Sequence, residues 1–372
     1  MKKPLNKTIK VLFYIFGGLL VIILSLAVIL WIKSPGTADP IMGLNGEPIV
    51  GSISTIEKVI LGGQEQYLII RGVDSTKPVM LFIHGGPGFP ETAIMKKLNP
   101  AIEKDFVMVY WEQRGAGKSY SKDIPAESMT IAQLILDTKE LSELLSGRFK
   151  QEKIYLMGHS WGSFLGICVA YQHPELYHSF FGISQVCHQY NGEKTGFEWV
   201  KDEANRRNDT EAIKSLSEIS FPDSLANGQE WLDHLGVERS YLNKYGAGVA
   251  HEMTGMWPLM KMFLNAKEYT LSEKLNSMSG MMLSMKNLWP ELISKNLFNE
   301  IDSMQLPVYI FQGIHDRQTP YSIASDFFDQ LKAPEKEFFT FDNSAHSPLV
   351  EEVDKFNSII REKARTHNNE LW

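Results

Sequence analysis

The strongest constraint on the fold is a glycine-flanked turn at residues 158–162, which reads Gly-His-Ser-Trp-Gly. An apolar run at 154–157 predicts a short buried strand before the turn, and residues 161–172 predict a helix directly after it. The two glycines permit a sharp reversal from strand to helix, because a Cβ atom at either position would collide with neighbouring backbone. Such a turn raises the hydroxyl of Ser160 above a sheet edge, so we expect an α/β fold.

Similar apolar runs alternate with helical segments along much of the remaining chain. Near-continuous runs are typical of parallel strands that are covered on both faces. The predicted strands lie at 67–71, 78–83, 106–111, 180–186, 307–311 and 338–341. The alternation predicts a mostly parallel central sheet with right-handed crossovers. A composition with 44% hydrophobic and 22% charged residues excludes a largely disordered chain.

The alternation stops between residues 188 and 300, where the pattern is helical and half of the sixteen methionines lie. We predict a helical cap over the carboxyl edge of the sheet. Its methionines either pack helix against helix or form an adaptable apolar wall of a pocket. The predicted parts are a membrane anchor (1–33), a tether (34–54), the first part of the core (55–187), the cap (188–300) and the second part of the core (301–372).

Residues 11–32 form an unbroken stretch without a charge. As a helix this stretch would be about 33 Å long, enough to cross a hydrocarbon core of about 30 Å. The lysines that precede it are Lys2, Lys3, Lys7 and Lys10. This bias predicts a single-pass anchor with a cytoplasmic N-terminus and an extracytoplasmic folded domain. A cleaved signal peptide is the alternative, but residues 31–33 (Trp-Ile-Lys) replace the small residues that a cleavage site needs.

The formal net charge of −7 argues against a nucleic-acid partner, because duplex binding needs a basic surface. Without the five lysines of residues 1–33, 32 basic residues remain against 44 acidic ones, a net charge of −12. We therefore expect a domain that does not lie electrostatically on an anionic membrane surface. Cys168 and Cys187 are the only cysteines, and they are either buried thiols or one pair. No Cys/His cluster indicates a metal site.

A serine hydroxyl becomes a nucleophile when a general base removes its proton, and that base needs an acid to orient it. His346 lies in the loop after the strand at 338–341, and Asp316 lies in the loop after the strand at 307–311. Both loops can approach Ser160 from above, because the carboxyl ends of parallel strands meet at one sheet edge. The order Ser160, Asp316, His346 fits this architecture, and we expect these residues to form a catalytic triad.

Other acids and histidines compete for the same roles. Asp302 precedes its strand and so belongs to the opposite sheet edge, whereas Asp342 is too close in sequence to His346 for an easy approach. His84 belongs to a glycine-rich loop and His159 adjoins the serine, so neither occupies a separate loop that could reach the hydroxyl. We expect His84 to hold its own loop through hydrogen bonds.

Two backbone N–H groups are candidates for an oxyanion hole. Trp161 opens the predicted helix, where free N–H groups face outward. Residues 84–88 (His-Gly-Gly-Pro-Gly) follow the strand at 78–83, and their glycines allow backbone to pass close to a reacting carbonyl. Gly86 is our choice for the second donor, with Gly85 next. Loss of one such donor typically lowers the rate by about 10²–10³-fold.

These motifs together resemble the α/β-hydrolase superfamily and, more narrowly, the proline iminopeptidase-like branch of serine peptidases. The residues that carry the resemblance are 84–88, 112–119 (Glu-Gln-Arg-Gly-Ala-Gly-Lys-Ser), 158–162, 313–316 (Gly-Ile-His-Asp) and His346. The family commonly has aspartate where this chain has Glu112. Because that stretch, with Arg114, braces the loop beneath the site, we expect the chemistry to be intact. The resemblance also implies a helical cap after the sixth strand.

The resemblance implies hydrolysis through an acyl-enzyme. Ser160 would attack a carbonyl carbon while His346 takes its proton, Asp316 would orient the imidazole, and the N–H groups of Trp161 and Gly86 would bind the oxyanion. Water would then release the acyl group, with no metal or organic cofactor. The expected partner is a small-molecule or peptide substrate, and the sequence does not indicate an oligomeric state.

Three functions stay open at this point. Peptidases of this branch bind a free amino terminus through cap acids; Glu193, Glu198, Asp202 and Glu203 are candidates, but no local motif selects among them. The resemblance favours such an aminopeptidase, whereas the Met-rich cap and the anchor favour a carboxylesterase or lipase of apolar acyl esters. The third function, a non-catalytic binding protein on this fold, predicts a missing triad member, and none is missing. Two carboxylates above Ser160 would indicate an amine substrate, and a wholly apolar ceiling would indicate an ester.

Overall fold

The structure is a computed structural model, and it describes residues 7–253 and 255–367. An eight-stranded sheet forms its centre, with the strands in the order β1-β2-β4-β3-β5-β6-β7-β8. The strands are β1 Ile53–Leu61, β2 Gln64–Gly72, β3 Val79–Ile83, β4 Val107–Glu112, β5 Ile154–His159, β6 Tyr177–Ile183, β7 Val308–Gly313 and β8 Lys336–Phe341. Strand β2 runs antiparallel to both neighbours, and β3 to β8 are parallel. The predicted α/β class with a mostly parallel sheet is confirmed.

Helices cover both faces of the sheet. The α-helices of the described residues, including those outside these layers, are α1 Lys7–Ile32, α2 Thr92–Leu98, α3 Ile131–Phe149, α4 Trp161–Gln172, α5 Gln189–Arg206, α6 Thr210–Ser217, α7 Gly228–Lys244, α8 Trp257–Asn265, α9 Leu271–Ile293, α10 Leu297–Glu300, α11 Tyr321–Gln330, α12 Pro348–Glu351 and α13 Val353–His367. Strand β3 shows why both faces need a cover. Leu81 packs into the core under α3 and α4, and the adjacent Phe82 packs into the core under α2 and α13.

Two strands differ from the sequence-based expectations. Strand β1 was not predicted; it starts at Ile53, and its residues are mostly half-buried because it forms the sheet edge. The run at 67–71 lies within β2, which pairs with β1 and β4 rather than with the next strand in the chain. The antiparallel register of β2 follows from its direct hairpin with β1, which apolar content alone does not indicate.

The predicted helical stretch 188–300 contains α5 to α10, and no strand lies among its described residues. It leaves the sheet after β6 and returns before β7, so it projects from the carboxyl edge where the loops that follow β3, β5, β7 and β8 also end. Helices α7 and α9 begin with complete capping boxes, at Asn227 and Thr270. Each cap fixes the start of a long helix that forms part of the ceiling over this edge.

Helix α1 stands apart from these layers. Ile9–Ile32 is long and apolar enough to cross a membrane by length and composition, and none of it is buried in the protein. Of the lysines that predict its orientation, Lys2 and Lys3 lie outside the described residues.

Candidate active site

The Gly-x-Ser-x-Gly turn joins β5 to α4 and holds Ser160 at φ +55°, in a left-handed conformation that side chains rarely adopt. A Cβ atom on Gly158 would lie 2.1 Å from the carbonyl oxygen of Gly162, and one on Gly162 would lie 2.0 Å from that of Ile83. Both positions therefore require glycine. The amide of Ser160 donates to the carbonyl of Ile183 at the end of β6, at 2.9 Å. The turn fixes the serine at the carboxyl edge of the sheet.

Asp316 and His346 are in direct contact at the same edge. The Nδ1 atom of His346 lies 2.8 Å from Oδ2 of Asp316, and both side chains are buried. Burial opposes ionisation of Asp316, but the imidazole and the hydrogen bonds from Thr319 outweigh it, so the pKa of Asp316 lies below its ordinary value. A carboxylate only accepts hydrogen bonds. The proton is therefore on Nδ1, and Nε2 is left to act as a base.

The loop of His346 is tied to the serine turn. The carbonyl of His346 accepts a hydrogen bond from the hydroxyl of Ser184 (2.8 Å) and contacts Nε2 of His159 (2.7 Å). His159 directly precedes Ser160, and its ring centroid is 5.0 Å from that of His346. The structure thus brings the three predicted triad residues, from three separate loops, to one sheet edge.

A buried pair that the sequence analysis missed, Glu91 and His159, braces this arrangement. One carboxylate oxygen of Glu91 lies 2.7 Å from Nδ1 of His159, and the other accepts the amide of Gly85 at 2.9 Å. Burial opposes charge on both groups, but their mutual attraction lowers the pKa of Glu91 and raises that of His159. As imidazolium, His159 donates to Glu91 and to the carbonyl of His346. The pair therefore connects the glycine-rich loop, the serine turn and the His346 loop.

The predicted oxyanion donors lie beside the serine. Gly86, Ser160 and Trp161 border the same cavity. Within the described part of the chain, the N–H groups of Gly86 and Trp161 donate to no other protein group. Gly86 has φ +118°, and a Cβ atom there would lie 2.5 Å from the amide nitrogen of Gly88, so no other residue fits. Two free donors at this position can stabilise a developing oxyanion.

The remaining histidine and acid candidates lie elsewhere. His84 accepts hydrogen bonds from Gln113 at its carbonyl (2.8 Å) and at Nε2 (3.3 Å), and burial lowers its pKa to about 4. It is a neutral side chain that holds its loop. Asp302 and Asp342 are exposed, and neither contacts His346.

The cavity above Ser160 has a volume of about 130 Å³, below the range of about 300–1,000 Å³ that is typical of drug-sized ligands. Part of its wall is apolar and is formed by Val186, Leu235, Met285, Trp289 and Leu292. The polar part is formed by Gln189, Arg239, Gln318 and Thr319. The wall above Ser160 is thus partly apolar and partly polar. Of the described methionines of the cap, only Met285 borders the cavity.

Two cap carboxylates lie directly behind the polar wall. Glu193 on α5 and Glu238 on α7 are fully buried, and Arg239 between them contacts one oxygen of each. Gln189 donates to the same oxygen of Glu193. Burial raises the pKa of Glu238 well above its ordinary value; Arg239 opposes this shift and Glu193 adds to it. Among the described residues, Oε2 of Glu193, Oε1 of Glu238 and the side-chain nitrogen Nε2 of Gln318 have no hydrogen-bond partner, whereas the backbone amide of Gln318 donates to Asp316.

Of the four cap acids considered from sequence, only Glu193 reaches this cluster. Glu198 and Asp202 are exposed, and Glu203 forms ion pairs with arginines of its own helix. Glu238 was missed, although a signal exists. It occupies the buried stripe of α7, whose other members are Trp231, Leu235 and Leu242. A glutamate within an apolar stripe indicates either a buried ion pair or a ligand site.

Cys168 and Cys187 are buried free thiols, and burial raises the pKa of each. Among the described residues, no group of three or more His, Cys, Asp or Glu side chains is arranged to hold a metal ion.

Known proteins resemble this chain in sequence and in fold. A family model described as alpha/beta hydrolase fold matches residues 78–353. The Bacillus subtilis protein named "Probable aminopeptidase YbaC" is 34% identical over 319 residues, which cover 85% of this chain and 98% of that protein. A proline iminopeptidase of Lactobacillus helveticus is 25% identical over 316 residues, with 82% and 96% covered. The crystal structure of a proline iminopeptidase from Mycobacterium smegmatis shares the fold, with a TM-score of 0.59 at 16% identity over 84% of this chain and 98% of that one.

Proposed function

The chain belongs to the α/β-hydrolase family, and from this premise we propose that it is a serine hydrolase that cleaves an amide or ester bond through an acyl-enzyme. One observation carries the proposal. Asp316 and His346 are in contact at 2.8 Å, and they lie at the sheet edge where the strained turn holds Ser160. This combination supports nucleophilic catalysis, because a base with a fixed tautomer lies at the same sheet edge as an otherwise unactivated hydroxyl.

The proposed reaction has two stages. In the first, Oγ of Ser160 attacks the substrate carbonyl carbon as Nε2 of His346 takes its proton, and the leaving amine or alcohol departs with that proton. In the second, water attacks the acyl-enzyme, gives a proton to His346 and releases the acid, which restores the serine hydroxyl. Asp316 stabilises the imidazolium in both stages, and the amides of Gly86 and Trp161 bind the oxyanion.

The substrate that the site favours carries a free amino group. Relatives of this chain are named aminopeptidase and proline iminopeptidase. One oxygen each of Glu193 and Glu238 has no partner among the described residues, and burial favours the protonated form of Glu238 by raising its pKa. An ammonium group would supply donors to both oxygens and would favour ionisation of Glu238. The small cavity also favours one N-terminal residue over a long acyl chain. We therefore place the chain with proline iminopeptidase-like aminopeptidases.

An esterase acting on apolar acyl esters is the second candidate. The observation in its favour is the apolar half of the cavity, where Leu235, Trp289 and Leu292 could accept a short acyl group without any amine. The two candidates differ in whether they need the cap carboxylates.

The proposed location is extracytoplasmic. Helix α1 would cross the membrane once, with the N-terminus in the cytoplasm and the hydrolase domain on the other side. The complete lateral exposure of α1 supports this arrangement, because an apolar helix in water would otherwise pack against the domain.

Labelling with a fluorophosphonate probe tests the nucleophile. The full chain should be labelled, and Ser160→Ala should abolish labelling and lower turnover by about 10⁴-fold or more. The control is Ser240→Ala, at an exposed serine of α7, which should be labelled normally. Unchanged labelling of Ser160→Ala would refute the mechanism. Parallel assays with prolyl amide, N-acetylprolyl amide and short and long acyl esters decide between the two substrate classes.

A further inference from the structure

The end of α1 is fastened to one corner of the cap. The ammonium group of Lys274, in the first turn of α9, donates to the hydroxyl of Ser34 (2.8 Å) and the carbonyl of Lys33 (3.4 Å). Lys274 is only 5% exposed, and Pro35 forms a β-bridge with Thr270. These contacts hold the end of the apolar helix α1 next to the start of α9. Where α1 leaves a bilayer, the first turns of α9 must therefore lie at the bilayer surface.

Exposed apolar side chains are concentrated at this corner. Leu271, Leu275 and Met278 lie at helical spacing on one face of α9; Leu271 is half-buried, and Leu275 and Met278 are 70% and 51% exposed. Met256 and Trp257, at the start of α8, are 41% and 69% exposed. We call these five residues the docking face. Its two parts meet at a small apolar pocket, which Met256 and Met278 both border.

Lysines flank the docking face. A surface groove of about 580 Å³ between α2 and α8 is lined by Lys96, Lys97, Lys261 and Lys267, together with Asp39 and Glu268. Lys96 pairs with Glu268 and Lys267 pairs with Asp39, so the excess positive charge of this corner comes from Lys97 and Lys261, although the folded domain is acidic as a whole. The overall charge predicts a domain that avoids an anionic surface, but the local charge next to α1 has the opposite sign. Lysine ammonium groups beside exposed apolar side chains and a tryptophan are typical of surfaces in the lipid headgroup region.

We propose that the docking face lies in the headgroup region of the bilayer that α1 crosses. The cap would then contact the membrane directly, and the domain would not be connected to the membrane by a flexible segment alone. This inference rests on the proposed anchoring of α1. The occupant is the lipid bilayer rather than a second copy of the chain, because the contacts of Lys274 and Thr270 bring this face to the membrane surface. The adjacent lysines match anionic phosphates.

Fluorescence in vesicles tests the proposal with the full chain. Single cysteines are introduced as Leu275→Cys and, in a second protein, Trp257→Cys, and each is labelled with an environment-sensitive fluorophore. The native cysteines are buried, which limits background labelling. The chain is reconstituted into phosphatidylcholine vesicles with phosphatidylglycerol, with and without nitroxide-labelled lipid. We expect a blue-shifted spectrum and about twofold quenching by the nitroxide lipid at both positions.

Two further labels make the outcomes separable. Leu20→Cys, in the middle of α1, reports anchoring. Leu136→Cys is the matched control, at an exposed leucine of α3. Helix α3 begins beside Glu291, which is about 25 Å along α9 from Lys274, so this label lies far from the docking face and should stay unquenched if contact with lipid is confined to that face.

Each outcome decides the matter. Quenching at 20, 257 and 275 but not at 136 supports docking. Quenching at 20 alone overturns docking and leaves anchoring and the proposed hydrolase intact. No quenching at 20 overturns anchoring and docking together. A blue shift at 275 that depends on protein concentration and not on nitroxide lipid indicates a second copy, and it also overturns the proposal.

Discussion

Two clusters of buried ionisable side chains lie behind the polar wall of the cavity, and their hydrogen-bonding groups are satisfied to different degrees. In the core, Asp316 accepts hydrogen bonds from His346, from the hydroxyl and amide of Thr319, and from the amide of Gln318. In the cap, Arg239 holds one oxygen of Glu193 and one of Glu238, and the other two oxygens have no partner among the described residues.

The difference suggests that the core cluster serves the chemical reaction and that the cap cluster serves substrate recognition. The core cluster is complete without substrate, so its geometry is fixed before any ligand arrives. The cap cluster leaves buried acceptors unpaired, and such groups are costly until a donor reaches them. A ligand with an ammonium group would remove that cost. The comparison therefore predicts that damage to the core cluster affects every substrate, whereas damage to the cap cluster affects only substrates with a free amine.

The largest effect is expected from Asp316→Asn. An asparagine amide can donate to Nδ1 of His346 and so favours the tautomer in which Nε2 carries the proton and cannot act as a base. We expect kcat to fall by about 10⁴-fold with little change in KM, for amides and esters alike. Steady-state kinetics on both substrate classes provides the measurement. The control is Asp342→Asn, since that exposed acid should leave kcat unaltered; a larger loss from the control would mean that the acid has been misassigned.

A smaller and selective effect is expected from Glu193→Gln and Glu238→Gln. Each change removes an acceptor for the substrate amine, so kcat/KM for a prolyl amide should fall by about 10²-fold. Hydrolysis of N-acetylprolyl amide and of short esters should stay within about twofold, because these substrates bring no ammonium group. Glu198→Gln, at an exposed position of the same helix as Glu193, is the control. Equal losses on all substrates would show that the cap carboxylates serve the fold and not recognition.

The two clusters also differ in how far sequence can reveal them. Ser160, Asp316 and His346 follow buried apolar strands, and strand order alone predicts that their loops meet at one edge. Glu238 and Glu91 have no such marker, because whether a glutamate is buried depends on residues distant in sequence. For Glu91, those are the glycine-rich loop and the serine turn.

The fold shows the same limit. The central strands were predictable because both faces of a parallel sheet must be apolar. Strand β1 escaped prediction because an edge strand buries little, and its pairing depends on the hairpin with β2. The local sequence pattern thus predicts the strands and helices that bury most of their surface. Elements that bury little surface form through tertiary contacts that this pattern does not show.

The smallest effect concerns Glu112, a buried carboxyl group at the end of β4 that belongs to neither cluster, and tests whether its surroundings keep it ionised. Glu112 accepts hydrogen bonds from the hydroxyl of Tyr269 (2.6 Å), the amide of Lys118 (3.1 Å) and the hydroxyl of Thr92 (3.3 Å). Burial nevertheless raises the pKa of Glu112 to about 7, whereas the pKa of Asp316, which faces an imidazole, is lowered. The three hydrogen bonds and the attraction of the Lys118 cation therefore do not compensate for the burial of Glu112, whereas the contacts with His346 and Thr319 do so for Asp316.

This raised pKa makes stability depend on pH. Because folded Glu112 holds its proton more tightly than the unfolded chain does, its contribution to the free energy of unfolding is present at low pH and is lost as pH rises toward 7. The loss should be about 2 kcal/mol between pH 5 and pH 7. Glu112→Gln cannot titrate, so chemical denaturation of the variant should show a flatter pH dependence by that amount. Glu127→Gln, at an exposed site, should retain the slope of the parent chain. If Glu112→Gln also retained it, the carboxyl would be ionised throughout, and its three hydrogen bonds and the Lys118 cation would compensate for its burial.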